Sequence, residues 1–200
     1  MRRVTLLTVP VLALALSACG GDPGPRPGTA LQIDGMRVTT THVHDVATEY
    51  CDAVAKTGSS ASAQTVQNEV VSALAARLVA ERYAEIRGVQ PDASYKTQVN
   101  QLRQQLGDFD QATQDAVVEV GGAQAYVSSV ISQTGEQAFT QWLDEQHVAI
   151  NPVYGLTLHG GQFTHVDSSL SLATSSQAKT AVKAAADPSA APAEGSRSCG

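Results

Sequence analysis

The chain has 200 residues, a formal net charge of −6 and 42% hydrophobic residues, with aromatic residues at only 4%. Its length fits one domain, and its acidic balance excludes the electrostatic footprint of a nucleic-acid-binding protein. Much of the hydrophobic content is alanine. Such a core favours packed helices over a broad sheet, so the predicted fold class is predominantly α.

The first residues predict export. Three residues with two arginines precede an apolar run at positions 4–16, and the run ends in Leu-Ser-Ala-Cys at positions 16–19. This is a secretory signal peptide, too short to remain as a membrane span. Its ending resembles the lipobox of bacterial lipoproteins, in which the cysteine is acylated and the preceding segment is removed. We therefore predict a signal at residues 1–18 and lipidation at Cys19; the alternative is an ordinary signal with a chance cysteine.

The predicted mature chain is more acidic than the precursor. The chain has 13 basic and 19 acidic residues. Loss of Arg2 and Arg3 with the signal leaves 11 basic residues and a charge of −8. An acidic domain is mildly repelled by anionic lipid, so attachment to the outer face of the cytoplasmic membrane is expected through the lipid anchor only.

A tether and a hairpin follow the predicted lipid. Residues 19–29 are rich in Gly and Pro and have no apolar periodicity, which is typical of a flexible tether. Residues 31–38 alternate around Asp34-Gly35, and Asp-Gly is a strong two-residue hairpin signal. Such a hairpin is only marginally stable alone and has to pack on another element.

Helical patterns occupy the middle of the chain. Threonines at positions 39–41 are candidate N-caps for a helix that ends near Lys56. A long helix is predicted over residues 63–87 with Gly88 just past its end, and Pro91-Asp92 restarts the chain. Gly121-Gly122 is interpreted as a break between helices. Two or three shorter helices are predicted over residues 111–120, 123–133 and 136–146.

Beyond the helices the pattern becomes extended and then low in complexity. Residues 148–150 alternate before Asn151-Pro152, which predicts a strand leading into a turn, and residues 156–158 suggest another short strand. We place the helical domain at residues 30–158. Residues 159–200 are predicted to be a poorly ordered tail, rich in Ala, Pro and Ser, that ends in Cys199.

Two cysteines remain if Cys19 carries lipid. Exported proteins meet an environment that permits disulfides, and Cys51 with Cys199 allows only one intramolecular connectivity. That bond would close almost the whole domain and contribute about 5 kcal/mol in the chain-entropy model. The alternatives are two free thiols or pairing with another chain.

Residues suited to catalysis or metal binding are sparse. His42 and His44 stand two apart, so they point away from each other on a helix, and His147, His159 and His165 have no motif around them. The chain contains no nucleophile elbow, phosphate loop or His-Glu-x-x-His helix. We therefore predict that it is not an enzyme and holds no metal or cofactor.

Apolar side chains at helical spacing are the remaining candidates for function. They fit core packing, and they also fit an open groove that receives a partner. The candidate client-binding residues are Val70, Leu74, Leu78, Tyr83, Tyr95, Leu102, Phe109 and Trp142.

The order of these elements resembles the N-terminal chaperone domain of SurA-like and PrsA-like exported foldases. The strand, Asp-Gly turn and Val-Thr step at residues 31–39 match its start, and the long helix with its Gly-hydrophobic step at residues 70–92 matches its centre. Trp142-Leu143 followed by residues 148–155 is similar to the end of actinobacterial lipoproteins of this group. The resemblance implies that a strand at about 148–158 pairs back with the N-terminal strand at about 31–38.

The resemblance covers residues 30–157 and departs from the foldases in one respect. They insert a parvulin-type isomerase domain after the helices, and residues 107–146 are too few to hold it. The implied function is an ATP-independent holdase, without isomerase activity, for unfolded or partly folded exported proteins. The alternative is an envelope adaptor or structural lipoprotein that binds one dedicated protein partner.

Overall fold

The computed structural model describes residues 26–159, 162–165 and 198–199. The predicted signal, Cys19 and most of the tether lie outside these residues. No helix among them is both long and apolar enough to span a bilayer. The helices are α1 (Thr40–Lys56), α2 (Ala63–Arg87), α3 (Ala93–Gln105), α4 (Gln111–Gly121), α5 (Ala123–Thr134) and α6 (Glu136–Asp144). The strands are β1 (Thr29–Ile33), β2 (Met36–Thr39), β3 (Ala61–Ser62), β4 (Ala149–Ile150), β5 (Leu156–His159), β6 (Gln162–His165) and β7 (Ser198–Cys199).

The predominantly helical fold with a small β element is confirmed, and its sheet begins at the predicted hairpin. Asp34 and Gly35 both have positive φ, at 44° and 87°, as a two-residue turn of this hand requires. β1 pairs antiparallel with β2 on one side and with β4 on the other, where Leu31 lies opposite Ile150. The strand order is β2-β1-β4. The predicted pairing between the two ends of the domain is therefore confirmed for β4.

The second C-terminal strand does not join this sheet. β5 pairs instead with β6, with Leu156 opposite His165 and His159 opposite Gln162. The prediction that the poorly ordered tail begins at residue 159 is thus wrong for β6, and the predicted β element is too long at its C-terminal end. The physical reason lies in the sequence, because Gly160-Gly161 separates two short extended segments and is itself a hairpin signal.

Helix α2 is the centre of the fold. It packs against α1, α4, α5 and the sheet. The apolar stripe predicted for it is buried at Val66, Val70, Leu74 and Leu78 but exposed at Ile86. Side chains on its other faces are also buried, including Val71, Ala75 and Val79. A helix buried on most sides is a core helix rather than a surface helix. Gly88 ends it in the left-handed conformation, at φ 65°, as predicted.

Side-chain caps start four of the helices. Thr39, Ser62, Asp92 and Asp110 each accept a hydrogen bond from the backbone N–H three residues ahead. The Ser94 hydroxyl and then the Tyr95 N–H lower the pKa of Asp92, since both donate to its carboxylate. The backbone N–H of Thr113 and then its hydroxyl lower the pKa of Asp110 in the same way. Both caps therefore favour the ionised carboxylate.

These caps predict a loss of stability in acid. An aspartate whose pKa is lowered by folding contributes stability above its unfolded pKa of about 3.9, and that stability is lost as pH falls through the folded pKa. We expect the melting temperature to fall below about pH 4, and to fall less steeply in the double variant Asp92→Asn and Asp110→Asn, since asparagine caps without titrating. Melting curves across this range test the prediction. An identical acid limb in the double variant would contradict it.

The two glycines at the junction of α4 and α5 allow side chains of α3 to approach the backbone at this break. A Cβ built on Gly121 would lie 3.3 Å from Cδ2 of Leu102, and one built on Gly122 would lie 3.8 Å from Cγ2 of Val99. The Cβ at Gly122 would also lie 2.5 Å from the Val118 backbone oxygen. The first contact is with the movable end of a side chain, whereas the last is with backbone.

We therefore expect the two glycines to tolerate alanine differently. Gly122→Ala should lower the free energy of unfolding by about 1–3 kcal/mol, because the backbone has to move. Gly121→Ala should have a smaller effect, because Leu102 has room to change rotamer. Urea unfolding of the matched pair measures the difference. Equal losses would show that the Val118 backbone accommodates a methyl group.

Candidate functional site

Four of the candidate client-binding residues lie in the core. Val70, Leu74 and Leu78 have at most 5% of their surface exposed, and Tyr83 has none. All four belong to α2, whose apolar stripe faces the sheet and the neighbouring helices. These side chains therefore do not form the shared client surface that the sequence suggested, although Leu78, at 5% exposed, also lines a cleft described below. Their helical spacing is the spacing of core packing.

The other four candidates are half-buried and do not form a common groove. Tyr95 packs edge-on against Tyr126, with ring centroids 5.3 Å apart. Phe109 lies 5.1 Å below the ammonium of Lys56. Leu102 contacts the α4 terminus, and Trp142 contacts the Tyr83 ring. Among the described residues, the exposed large hydrophobic side chains are Ile86 and Val153, at 47% and 76% of their surface.

Two clefts flank the three-stranded sheet, one beside each edge strand. The cleft beside β4 has a volume of about 320 Å³, and the cleft beside β2 has a volume of about 420 Å³. The first is lined by Gln146, His147, Val148, Ile150, Leu156, Thr157 and Leu158. The second is lined by Met36, Arg37, Val38, Thr39, His42, Leu78 and Glu81.

Of the two edge strands of this sheet, β2 is the longer. β4 has two residues, and Pro152 lies two positions after its end, so it offers few backbone groups to a further strand. β2 has four residues, and among the described strands it pairs only with β1. Its side chains alternate between half-buried Met36 and Val38 and exposed Arg37 and Thr39. We therefore take the β2 edge and its cleft as the candidate site.

The ladder fixes which backbone groups of β2 are free. The Asn151 N–H donates to the Ala30 oxygen at 2.8 Å, so the even-numbered backbone groups of β1 face β4. Leu31 and Ile33 then face β2, opposite Val38 and Met36. Arg37 lies opposite Gln32 between these two pairs. Its N–H and C=O therefore point away from β1, toward the cleft.

Most charged groups around this cleft are already paired. Nε2 of His42 lies 2.9 Å from Oε1 of Glu119, and Nε of Arg77 lies 2.7 Å from Oε1 of Glu81. At the hairpin turn, Asp34 lies 3.4 Å from Arg82. In the part of the chain that the structure describes, no carboxylate lies within ion-pair distance of Arg37. Within the described residues, the cleft thus offers an uncovered backbone edge, apolar side chains and the guanidinium of Arg37 without an acidic partner.

None of the β2 residues was a candidate in the sequence. The available signal was the alternation Met-Arg-Val-Thr after the Asp-Gly turn. That alternation predicts a half-buried strand, but it does not show which edge is covered. The open edge follows only from the pairing of β4 with β1 rather than with β2.

The predicted bond between Cys51 and Cys199 is present. Their Cα atoms are 5.1 Å apart across 148 positions of sequence. Cys199 is buried, and β7 pairs with β3, where Ala61 lies opposite Cys199. The C-terminal end is thereby attached to α1 and to the start of α2.

No cluster of three or more His, Cys, Asp or Glu side chains suited to a metal occurs among residues 26–159, 162–165 and 198–199. His42, one of the paired histidines at the start of α1, contacts Glu119 on α4.

Comparisons with protein families, with curated proteins and with solved structures found no match. The proposals that follow depend on this chain's own residues.

Proposed function

We propose that the chain is an exported, lipid-anchored protein that binds extended segments of exported polypeptides, as a chaperone-like holdase without ATP or isomerase activity. The supporting observation is the outer edge of β2, which no other described strand covers, beside a partly apolar cleft. Exposed sheet edges recognise extended chains through main-chain hydrogen bonds, which are the same for every sequence. A site of this kind suits clients that differ in sequence. The lipobox-like ending at Cys19 supports the location at the outer face of the cytoplasmic membrane.

A second candidate function is an adaptor for one dedicated envelope partner. It is favoured by the burial of the apolar side chains on α2, since Ile86 and Val153 are the exposed large hydrophobic residues among those that the structure describes. A broad holdase exposes larger apolar patches than this. An adaptor needs only one well-matched site.

Aggregation of several unrelated unfolded proteins separates the two functions. The test protein is residues 20–200, which keeps every described residue. Suppression of several clients at near-stoichiometric ratios supports the holdase. Failure with all of them, together with one saturable complex recovered from membranes, supports the adaptor and contradicts the holdase.

The anchor has its own test. We expect Cys19→Ala to leave the protein as an unprocessed precursor or to release it from the membrane, because no other cysteine lies at the end of the apolar run. Membrane fractionation and fatty-acid labelling measure this. Replacing both Cys51 and Cys199 with serine is a suitable control, since it removes the two cysteines that are joined in the disulfide and leaves Cys19 in place. Unchanged labelling of Cys19→Ala would refute the anchor.

A further inference from the structure

We propose that β2 accepts an extended peptide as an added antiparallel strand, and that Arg37 selects a peptide with an acidic residue between two apolar ones. This inference rests on the proposed function and names the class of segment that the candidate site binds. It concerns the β2 edge and its cleft, not the helical surface.

The backbone of the site defines the register of the added strand. The N–H and C=O of Arg37 point away from β1, so they form one closely spaced pair of antiparallel hydrogen bonds with a residue opposite. That residue donates its N–H to the Arg37 oxygen and accepts from the Arg37 N–H. The central residue of the peptide is therefore the one opposite Arg37.

The cleft defines the neighbours of that central residue. Side chains alternate between the two faces of a strand, so the residues on either side of the central one lie on the face of Met36 and Val38. On that face the cleft is lined by Leu78 and bordered by His42 and Glu81. Apolar side chains on both sides of the central residue would cover these apolar groups.

The positive charge of Arg37 determines which side chain is favoured at the central residue of the peptide. Its side chain lies on the same face as that of Arg37, as directly opposite residues in a sheet do, and opposite charges there attract. Near the cleft, Glu81 pairs with Arg77, and His42 contacts Glu119. Arg37 is exposed and has no carboxylate partner among the described residues. An Asp or Glu on the added strand completes the pair.

The net charge of the chain distinguishes the proposed preference for an acidic peptide from long-range electrostatic attraction. The chain is acidic, at −6, so long-range electrostatics alone favour a basic peptide. The proposal predicts the reverse. The measurement is fluorescence anisotropy with the full chain in mild detergent and three labelled peptides that are identical except for a central Glu, Gln or Lys between valines. Empty micelles correct for partition into detergent.

We expect the Glu peptide to bind about fivefold more tightly than the Lys peptide, as one cross-strand charge pair allows. Arg37→Glu should reverse this order. Lys96→Glu, which makes the same charge change on α3, should keep it. A Lys peptide that binds wild-type protein as tightly as the Glu peptide, or a Lys96→Glu variant that also reverses the order, would overturn the proposal.

The backbone contact has a separate variant. Arg37→Pro removes an outward N–H and no bond of the β1–β2 ladder, and proline is tolerated where an edge N–H faces solvent. It should keep the wild-type melting temperature and weaken all three peptides. N-methylation of the central residue should weaken the Glu peptide in the same way. If a correctly folded Arg37→Pro variant binds the peptides normally, strand addition at this edge is wrong.

Different results contradict the strand-addition site and the proposed holdase function. Predicted peptide preferences without suppression of aggregation would retain the strand site and refute the holdase. Suppression of aggregation that Arg37→Pro leaves unchanged would retain the holdase and refute the site. Sedimentation provides the last outcome: a wild-type dimer that Arg37→Pro dissociates would assign the edge to a second copy of this chain and overturn the proposal.

Discussion

Replacing both Cys51 and Cys199 with serine is expected to lower the free energy of unfolding by about 5 kcal/mol. The bond closes a loop across 148 positions, and in the chain-entropy model the stabilisation grows with loop length. For a chain of this size each kcal/mol corresponds to about 2–4 °C, so the melting temperature should fall by about 10 °C or more. The effect is large because β7 has only two residues and, without the bond, depends on its short pairing with β3.

Reductant provides the matched control for this variant. It should lower the melting temperature of the wild-type protein to that of the double variant and leave the double variant unchanged. Replacing both cysteines also avoids a lone thiol that forms dimers. Equal melting temperatures for variant and wild type, with both wild-type thiols alkylated before reduction, would contradict the prediction.

Local signals predicted the local structure well. The Asp34-Gly35 turn, the start of α1 after Thr39 and the end of α2 at Gly88 all match, because each depends on conformational preferences within a few residues. Cys51 and Cys199 were paired correctly since only one connectivity was possible. The last helix ends at Asp144 rather than at residue 146, and helix ends of this kind fray.

The candidate site could not be predicted in the same way, because it depends on long-range pairing. The stripe of Val70, Leu74 and Leu78 has the same spacing whether it faces a core or an open groove. Only the packing of α1, α4, α5 and the sheet around α2 shows that it is buried. Among the described strands the outer edge of β2 stays uncovered, because β4 pairs on the other side of β1, more than a hundred positions along the chain.

Substitutions of the buried residue Tyr83 separate the contribution of its ring to stability from that of its hydroxyl. It is fully buried on α2, and its hydroxyl has no hydrogen-bond partner among the described residues. Its ring is well packed: the Phe139 ring lies edge-on at 5.1 Å, the Trp142 ring lies at 4.9 Å, and the Arg87 guanidinium lies 5.1 Å from the centroid. The ring therefore stabilises the core, whereas the hydroxyl carries the cost of an unpaired buried polar group.

We expect Tyr83→Phe to raise the free energy of unfolding by about 1 kcal/mol, because it removes the unpaired hydroxyl and keeps the ring. Tyr83→Ala should lower it by about 3–5 kcal/mol, because it removes the aromatic contacts and leaves a cavity. Urea unfolding followed by fluorescence measures both changes. Trp142 is the only tryptophan of the chain and contacts the Tyr83 ring, so its emission reports on this part of the core.

Tyr50→Phe is the matched control, and it should act in the opposite direction. The Tyr50 hydroxyl donates to Oε1 of Glu69 at 2.8 Å, and burial together with that carboxylate raises its pKa to about 12. Phenylalanine there loses a hydrogen bond that is partly exposed to solvent, so the free energy of unfolding should fall by about 0.5–1.5 kcal/mol. The same chemical change thus has opposite signs at two tyrosines, and the sign depends on whether the hydroxyl has a partner. A loss of stability in Tyr83→Phe as large as in Tyr50→Phe would mean that the Tyr83 hydroxyl is hydrogen-bonded in solution.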